Sequence, residues 1–147
     1  MMKYLIWISL CCASCVPVRQ TPTGENRQPA FDGRETARYR VTIQMRKASI
    51  TGIMIVKHTC GEWRGSLVNE FGVKAFDFIV GEEKCRLLNV IPFLDKWYIR
   101  RILARDLILL CEGGEQRGRY LERLPGGGFL LKNEKQHIEY TFQPVKQ

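Results

Sequence analysis

The sequence predicts a mainly β domain of the α+β class: an antiparallel sheet of about eight strands with one helix packed on it. Three observations carry this reading. From Tyr39 onward, apolar and polar residues alternate with period two in one segment after another. Turn-forming residues separate these segments about every ten positions, which leaves no room for helical crossovers and suits a meander. Only Leu94–Leu110 places its apolar residues at helical spacing.

The first strand alternates Tyr39, Val41, Ile43 and Met45 with Arg40, Thr42, Gln44 and Arg46, so one face is wet. Ala48-Ser49 turns the chain into Ile50–Lys57, which is apolar on both sides and therefore expected at the centre of the sheet. His58–Gly61 is a hairpin turn, with Gly61 available for positive φ. Trp63–Glu70 returns with Trp63, Gly65 and Leu67 on one face. Phe71-Gly72 bends into Val73–Val80, where Phe76, Phe78 and Val80 oppose Ala75, Asp77 and Ile79. In this region Asn69–Gly72 and the polar members of Phe76-Asp77-Phe78 either line a pocket or cap a strand corner, and the corner is preferred. Gly81–Lys84 turns again, and Cys85–Ile91 is the fifth strand.

Pro92 ends the meander, and Asp95 is placed to cap the helix, with Leu94 and Ile99 as a hydrophobic staple. At 100° per residue Tyr98, Ile99, Ile102, Leu103, Leu109 and Leu110 share one face. Lys96 and Arg100 flank it on one side, Arg101 and Arg105 on the other. Asp106 falls in the middle of that face. A carboxylate there must find donors, either from an internal Arg or by breaking the helix; the functional alternative is a ligand-orienting or proton-handling group. Three further strands follow: Gln116–Leu124, Phe129–Lys132 and Gln136–Gln143.

Ahead of the sheet the chain changes character. Residues 1–14 have the order of a secretory signal: Lys3, the apolar run Tyr4–Leu10, then small residues. The run is far short of the roughly 20 residues that a permanent membrane helix needs. Residues 15–36 hold three prolines and several charges, with Phe31 the only large apolar side chain, and read as a tether. Residues 37–147 form the single domain.

The chain has six cysteines and a formal charge of +8. Cys11 and Cys12 leave with the signal, and Cys60, Cys85 and Cys111 remain in the domain. They allow at most one bridge, which the sequence does not select. They show no CxxC spacing and no paired His, so no zinc or other metal site is expected. Most of the basic balance reads as solvated surface; as a binding signal it fits anionic lipid or acidic glycan, and export argues against nucleic acid as a partner. There is no GxSxG, and neither His58 nor His137 sits in a nucleophile motif. Glu82 and Glu83 are neighbours on an extended chain and point apart. Gly126-Gly127-Gly128 lacks the Lys-Ser/Thr and helix of a phosphate loop. The chain therefore reads as a non-enzyme without a cofactor.

Cys12-Ala13-Ser14-Cys15 resembles the lipobox of bacterial lipoproteins, with Cys12 where that motif usually has an aliphatic residue. The resemblance implies cleavage before Cys15, lipid attachment there, and anchoring in a membrane. No acidic cluster of the Bacteroidetes surface-export type follows, and Val16 is unlike the Asp that retains enteric lipoproteins in the inner membrane. By that resemblance the domain is expected on the outer membrane, facing the periplasm. The strand text Ile50–Ile53, Asn69–Gly72 and Phe76–Phe78, ahead of a basic-apolar helix ending Arg105–Leu107, resembles small Bacteroidetes-type lipoproteins. The whole arrangement is similar to the half-open β-barrel of the lipoprotein-localisation (Lol) carriers. That likeness implies a curved sheet cupping acyl chains, with Phe76, Phe78, Leu88, Ile102 and Leu103 lining the cup. Two functions stay open: a protein that binds or transfers a lipid or another lipoprotein's acyl chain, and a structural or interaction lipoprotein without a cavity.

Overall fold

The computed structural model describes residues 28–33 and 36–146; the signal, Cys15 and the first part of the tether lie outside them. Eight strands form one antiparallel sheet: β1 (Ala37–Gln44), β2 (Ser49–Thr59), β3 (Glu62–Asn69), β4 (Lys74–Gly81), β5 (Lys84–Leu88), β6 (Arg119–Arg123), β7 (Phe129–Asn133) and β8 (Ile138–Pro144). A single α-helix among the described residues, α1 (Trp97–Glu112), connects β5 to β6. The sheet order is β5-β4-β3-β2-β1-β8-β7-β6, open at both edges. The five-strand meander is as the periodicity predicts. The last three strands continue the sheet from the free side of β1, where Val41 faces Phe142 and Ile43 faces Tyr140. That pairing is non-local, so no local pattern encodes it.

One face of the sheet holds the core. Alternation places Tyr39, Val41 and Ile43 of β1, Phe76, Phe78 and Val80 of β4, and Phe129 and Leu131 of β7 inside, all buried. β2 lies between β1 and β3, and its outward Ile53 and Ile55 are half-buried, which accounts for its apolar character on both sides. The sheet is curled. Rings from β3 (Trp63) and β7 (Phe129) both lie about 6 Å from the ring of Phe31, at 6.2 and 5.6 Å. A flat sheet would separate strands four places apart by about 19 Å. Gly65 allows close packing inside this curl: it faces Phe78, and a Cβ there would lie 2.3 Å from the ring.

The helix packs on β5 and β4 and begins at Trp97, later than the capping pattern suggests. Asp95 does not cap it. Lys96 holds the cap position without a side-chain bond, because the Asp95 carboxylate accepts from Arg100 Nη1 at 2.6 Å instead. Arg100 Nη2 also donates to the Leu87 carbonyl at 2.9 Å, fixing the first turn to β5. The buried stripe is Leu103, Asp106, Leu107 and Leu110, with Leu109 and Cys111 also covered in the last turn. Tyr98, assigned to the apolar face from spacing alone, is 45% exposed and lies ahead of the first buried helix residue, Leu103.

What covers the last turn is residues 28–33. The Ala30 N–H donates to the Leu110 carbonyl at 2.8 Å, and Arg123 donates to the carbonyls of Ala30 and Pro29, both at 3.2 Å. Phe31 is 3% exposed, its ring set among Tyr39, Trp63, Phe129 and Phe142. The domain thus takes in part of the segment read as tether. One large ring buries enough apolar surface to dock a polar stretch whose average composition argues against order. Gly113, at φ 73°, ends the helix beside this segment, where a Cβ would meet Gln28 backbone at 2.6 Å.

Candidate functional site

The five residues expected to line an acyl cup do not form one surface. Phe76, Phe78 and Leu103 are sealed in the core, at 1–2% exposure, and line none of the five principal clefts among the described residues. Leu88 belongs to the other face of the sheet. It pairs with Asp77 while Leu87 pairs with the inward Phe78, so it points outward and is exposed. The one-residue parity of β5 separates Leu88 from Phe76 and Phe78. Ile102 is half-buried and borders a surface cleft instead.

The charged residue in the helix stripe proves to be the hub of a buried polar network. Asp106 is 0% exposed. Its carboxylate accepts from Arg119 Nε at 2.5 Å, from Asn133 Nδ2 at 3.2 and 3.3 Å, and from the Tyr140 hydroxyl at 2.5 Å. These partners lie on β6, β7 and β8, so one carboxylate ties the helix to three strands. The Asn133 Oδ1 in turn accepts from the Gln136 N–H at 3.2 Å. Burial, and after it the charge and hydrogen bond of Asp106, push the Tyr140 phenol well above its usual range, against the opposing charge of Arg119. Among the described residues no buried side-chain polar atom lacks a partner, and the network reads as structural, as an internal ion pair with an Arg. Sequence spacing identifies Asp106 but none of its partners.

Beside the network lies a cleft of about 420 Å³. The helix contributes Trp97, Tyr98, Arg101, Ile102 and Arg105. The approach to β6 contributes Arg117 and Arg119, and the end of β7 with its turn contributes Asn133, Lys135 and Gln136. Five cations line it and no carboxylate does. Trp97 stands 76% exposed at its edge, with its ring edge-on to Tyr98 at 5.9 Å.

The other chemistry-bearing groups have structural duties. His58 stacks on Trp63 at 4.5 Å. Asn69 Oδ1 accepts from the N–H groups of Phe71 and Val73, at 3.0 and 2.9 Å, and so caps the β3–β4 corner. On the outer face Asp77 accepts from Ser66, from Asn89 at 2.7 Å and from Lys74 at 3.1 Å. Burial would raise its carboxyl, but these donors outweigh that and hold it below the usual range. Cys60, Cys85 and Cys111 are free thiols. Burial pushes Cys85 up to about 11, and burial followed by the nearby Cys85 and Glu112 pushes Cys111 higher still, so neither is an activated nucleophile. Among the described residues no group of three or more His, Cys, Asp or Glu could hold a metal ion, and no helix is long and apolar enough to cross a membrane.

Comparison of the chain with family models, with curated proteins and with solved structures finds no match in any of the three.

Proposed function

We propose that the chain is a lipoprotein of the cell envelope, held on the outer membrane through acylated Cys15, whose periplasm-facing domain works through its surface as an interaction module. The signal pattern and lipobox resemblance support the anchor. The observation that carries the second half is the occupied interior. The helix lies over β4 and β5, and Phe31 fills the ring cluster of Tyr39, Trp63, Phe129 and Phe142. An acyl chain would have to displace one of these before it reached the apolar interior.

The apolar-ligand reading keeps one supporting observation. Phe31 belongs to a short segment preceding β1, so release of residues 28–33 would uncover those rings for a lipid or a lipoprotein acyl chain. Native mass spectrometry of the full chain, gently extracted from membranes, separates the two. The interaction module is expected to fly without bound lipid and to yield a specific crosslinked partner. Lipid retained by the unaltered protein, and lost in Phe76→Ser or Leu103→Ser, would favour the carrier. Intact mass against a Cys15→Ala control tests the anchor: an unlipidated wild type would remove it.

A further inference from the structure

We propose that the cleft between α1 and the β6–β7 end of the sheet is a binding site for a phosphate group, with Trp97 stacking on the body that carries it. This goes beyond the anchored-module reading and stands on separate observations. Arg101, Arg105, Arg117 and Lys135 reach the cleft from three parts of the chain. Among the described residues none of the four has an ion pair or a side-chain hydrogen bond. The fifth cation, Arg119, is neutralised from behind by Asp106. Acids line the neighbouring surfaces instead: Glu134 shares a rim with Arg117 and Lys135, Glu83, Glu112 and Glu115 lie with Arg105 in the next hollow, and Glu115 also borders a cleft with Arg117 and Arg119. Like charges gathered without partners repel one another, and an anion between them adds an attractive pair with each cation that offsets the repulsion.

The type of cation narrows the anion. Guanidinium groups present planar forks that match phosphate oxygens in pairs, and several around one opening suit a group with more than one negative charge. The floor is preorganised, since Arg119 and Asn133 are both held by the buried Asp106 carboxylate. The volume fits a small headgroup, at the lower end of the usual range for ligand sites. An indole as exposed as Trp97, beside that opening, offers a flat apolar wall to a ring or glycerol body. A soluble sugar phosphate and the phosphomonoester headgroup of a lipid share this chemistry.

The test uses the full chain carrying Cys15→Ala, so that an acyl anchor cannot hold it on vesicles and loss of the anchor reading leaves the result intact. Inorganic phosphate and glucose 6-phosphate are titrated by calorimetry, and flotation is measured with phosphatidylcholine vesicles with and without phosphatidic acid. Binding is expected to weaken about tenfold or more in the exposed-site double variant Arg101→Gln/Arg105→Gln. Trp97→Ala is expected to weaken glucose 6-phosphate and leave inorganic phosphate unchanged. Arg40→Gln, on the outer face of β1, should alter neither. Soluble binding points to a sugar phosphate, and flotation that requires phosphatidic acid points to a lipid headgroup. No binding in either arm, or an Arg40→Gln loss equal to that of the double variant, overturns the proposal.

Discussion

The concave face of the sheet is closed in two places by opposite means. Near β7 and β8 the closure is a single ring: Phe31 meets four aromatic side chains, and its backbone neighbours bond to Leu110 and Arg123. Under the helix the closure is a carboxylate holding Arg119, Asn133 and Tyr140. The first is non-directional and scales with buried apolar area, so any group of similar shape serves. The second depends on each member being present, because loss of one strands the rest in a site without water. Shape tolerates substitution; a buried polar hub does not.

Variants at three residues sharpen that contrast, in descending order of effect. Asp106→Ala removes the hub and leaves Arg119, only 13% exposed, without its ion pair, and the Asn133 amide N–H and the Tyr140 hydroxyl without their acceptor; a loss of about 4 kcal/mol is expected by denaturant unfolding. A loss under about 1 kcal/mol would mean that the network is dispensable. Phe31→Ala should cost about 3 kcal/mol, as for a ring lost from a core. Phe31→Leu should recover much of that, whereas Asp106→Asn should not rescue its site as fully. Tyr140→Phe keeps the ring and removes one bond to a charged group, for about 2 kcal/mol.

Asp77→Asn, outside both closures, should cost about 1 kcal/mol at neutral pH through its bonds to Ser66, Asn89 and Lys74. The folded-state carboxyl is held below its usual value. Its contribution is therefore complete above the unfolded-state value of about 4 and is lost as pH falls through the lower folded-state value. The gap between variant and wild type should close in that acid window, read from thermal melts. A gap that widened on acidification would reverse the sign of the argument.

These two closures also mark how far the residues could be read in one dimension. Turn spacing, the apolar runs and the one helical stretch located all eight described strands and the helix, because these are local patterns. Asp106 stood out since a charge in an apolar stripe is a local contradiction, and an Arg was among its expected partners. Its actual partners, Arg119, Asn133 and Tyr140, could not be named, because β8 joins the sheet beside β1 and nothing near Ile138 encodes that. Phe31 was misread for the opposite reason: composition averages over a window, and one ring amid prolines and charges is averaged away. Leu88 failed by a single position, since a five-residue strand gives too little alternation to fix which face begins it. The basic cleft was visible only as Arg101 and Arg105 on one helix flank, and Arg117 and Lys135 reach it through the fold.

The place of β1 has a kinetic consequence. It lies between β2, its neighbour in sequence, and β8, the last strand of all. Arg123 and Ala30, joined by a hydrogen bond, are 93 positions apart. The middle of the sheet therefore cannot be completed until β8 is available, and the ring of Phe31 has no complete site until β7 and β8 are in place. Such a topology closes long loops before it gains their contacts, and folding in roughly milliseconds to seconds is expected, measurable by stopped-flow Trp fluorescence. β8 is thus the lock on the domain, which stays open until this strand pairs with β1.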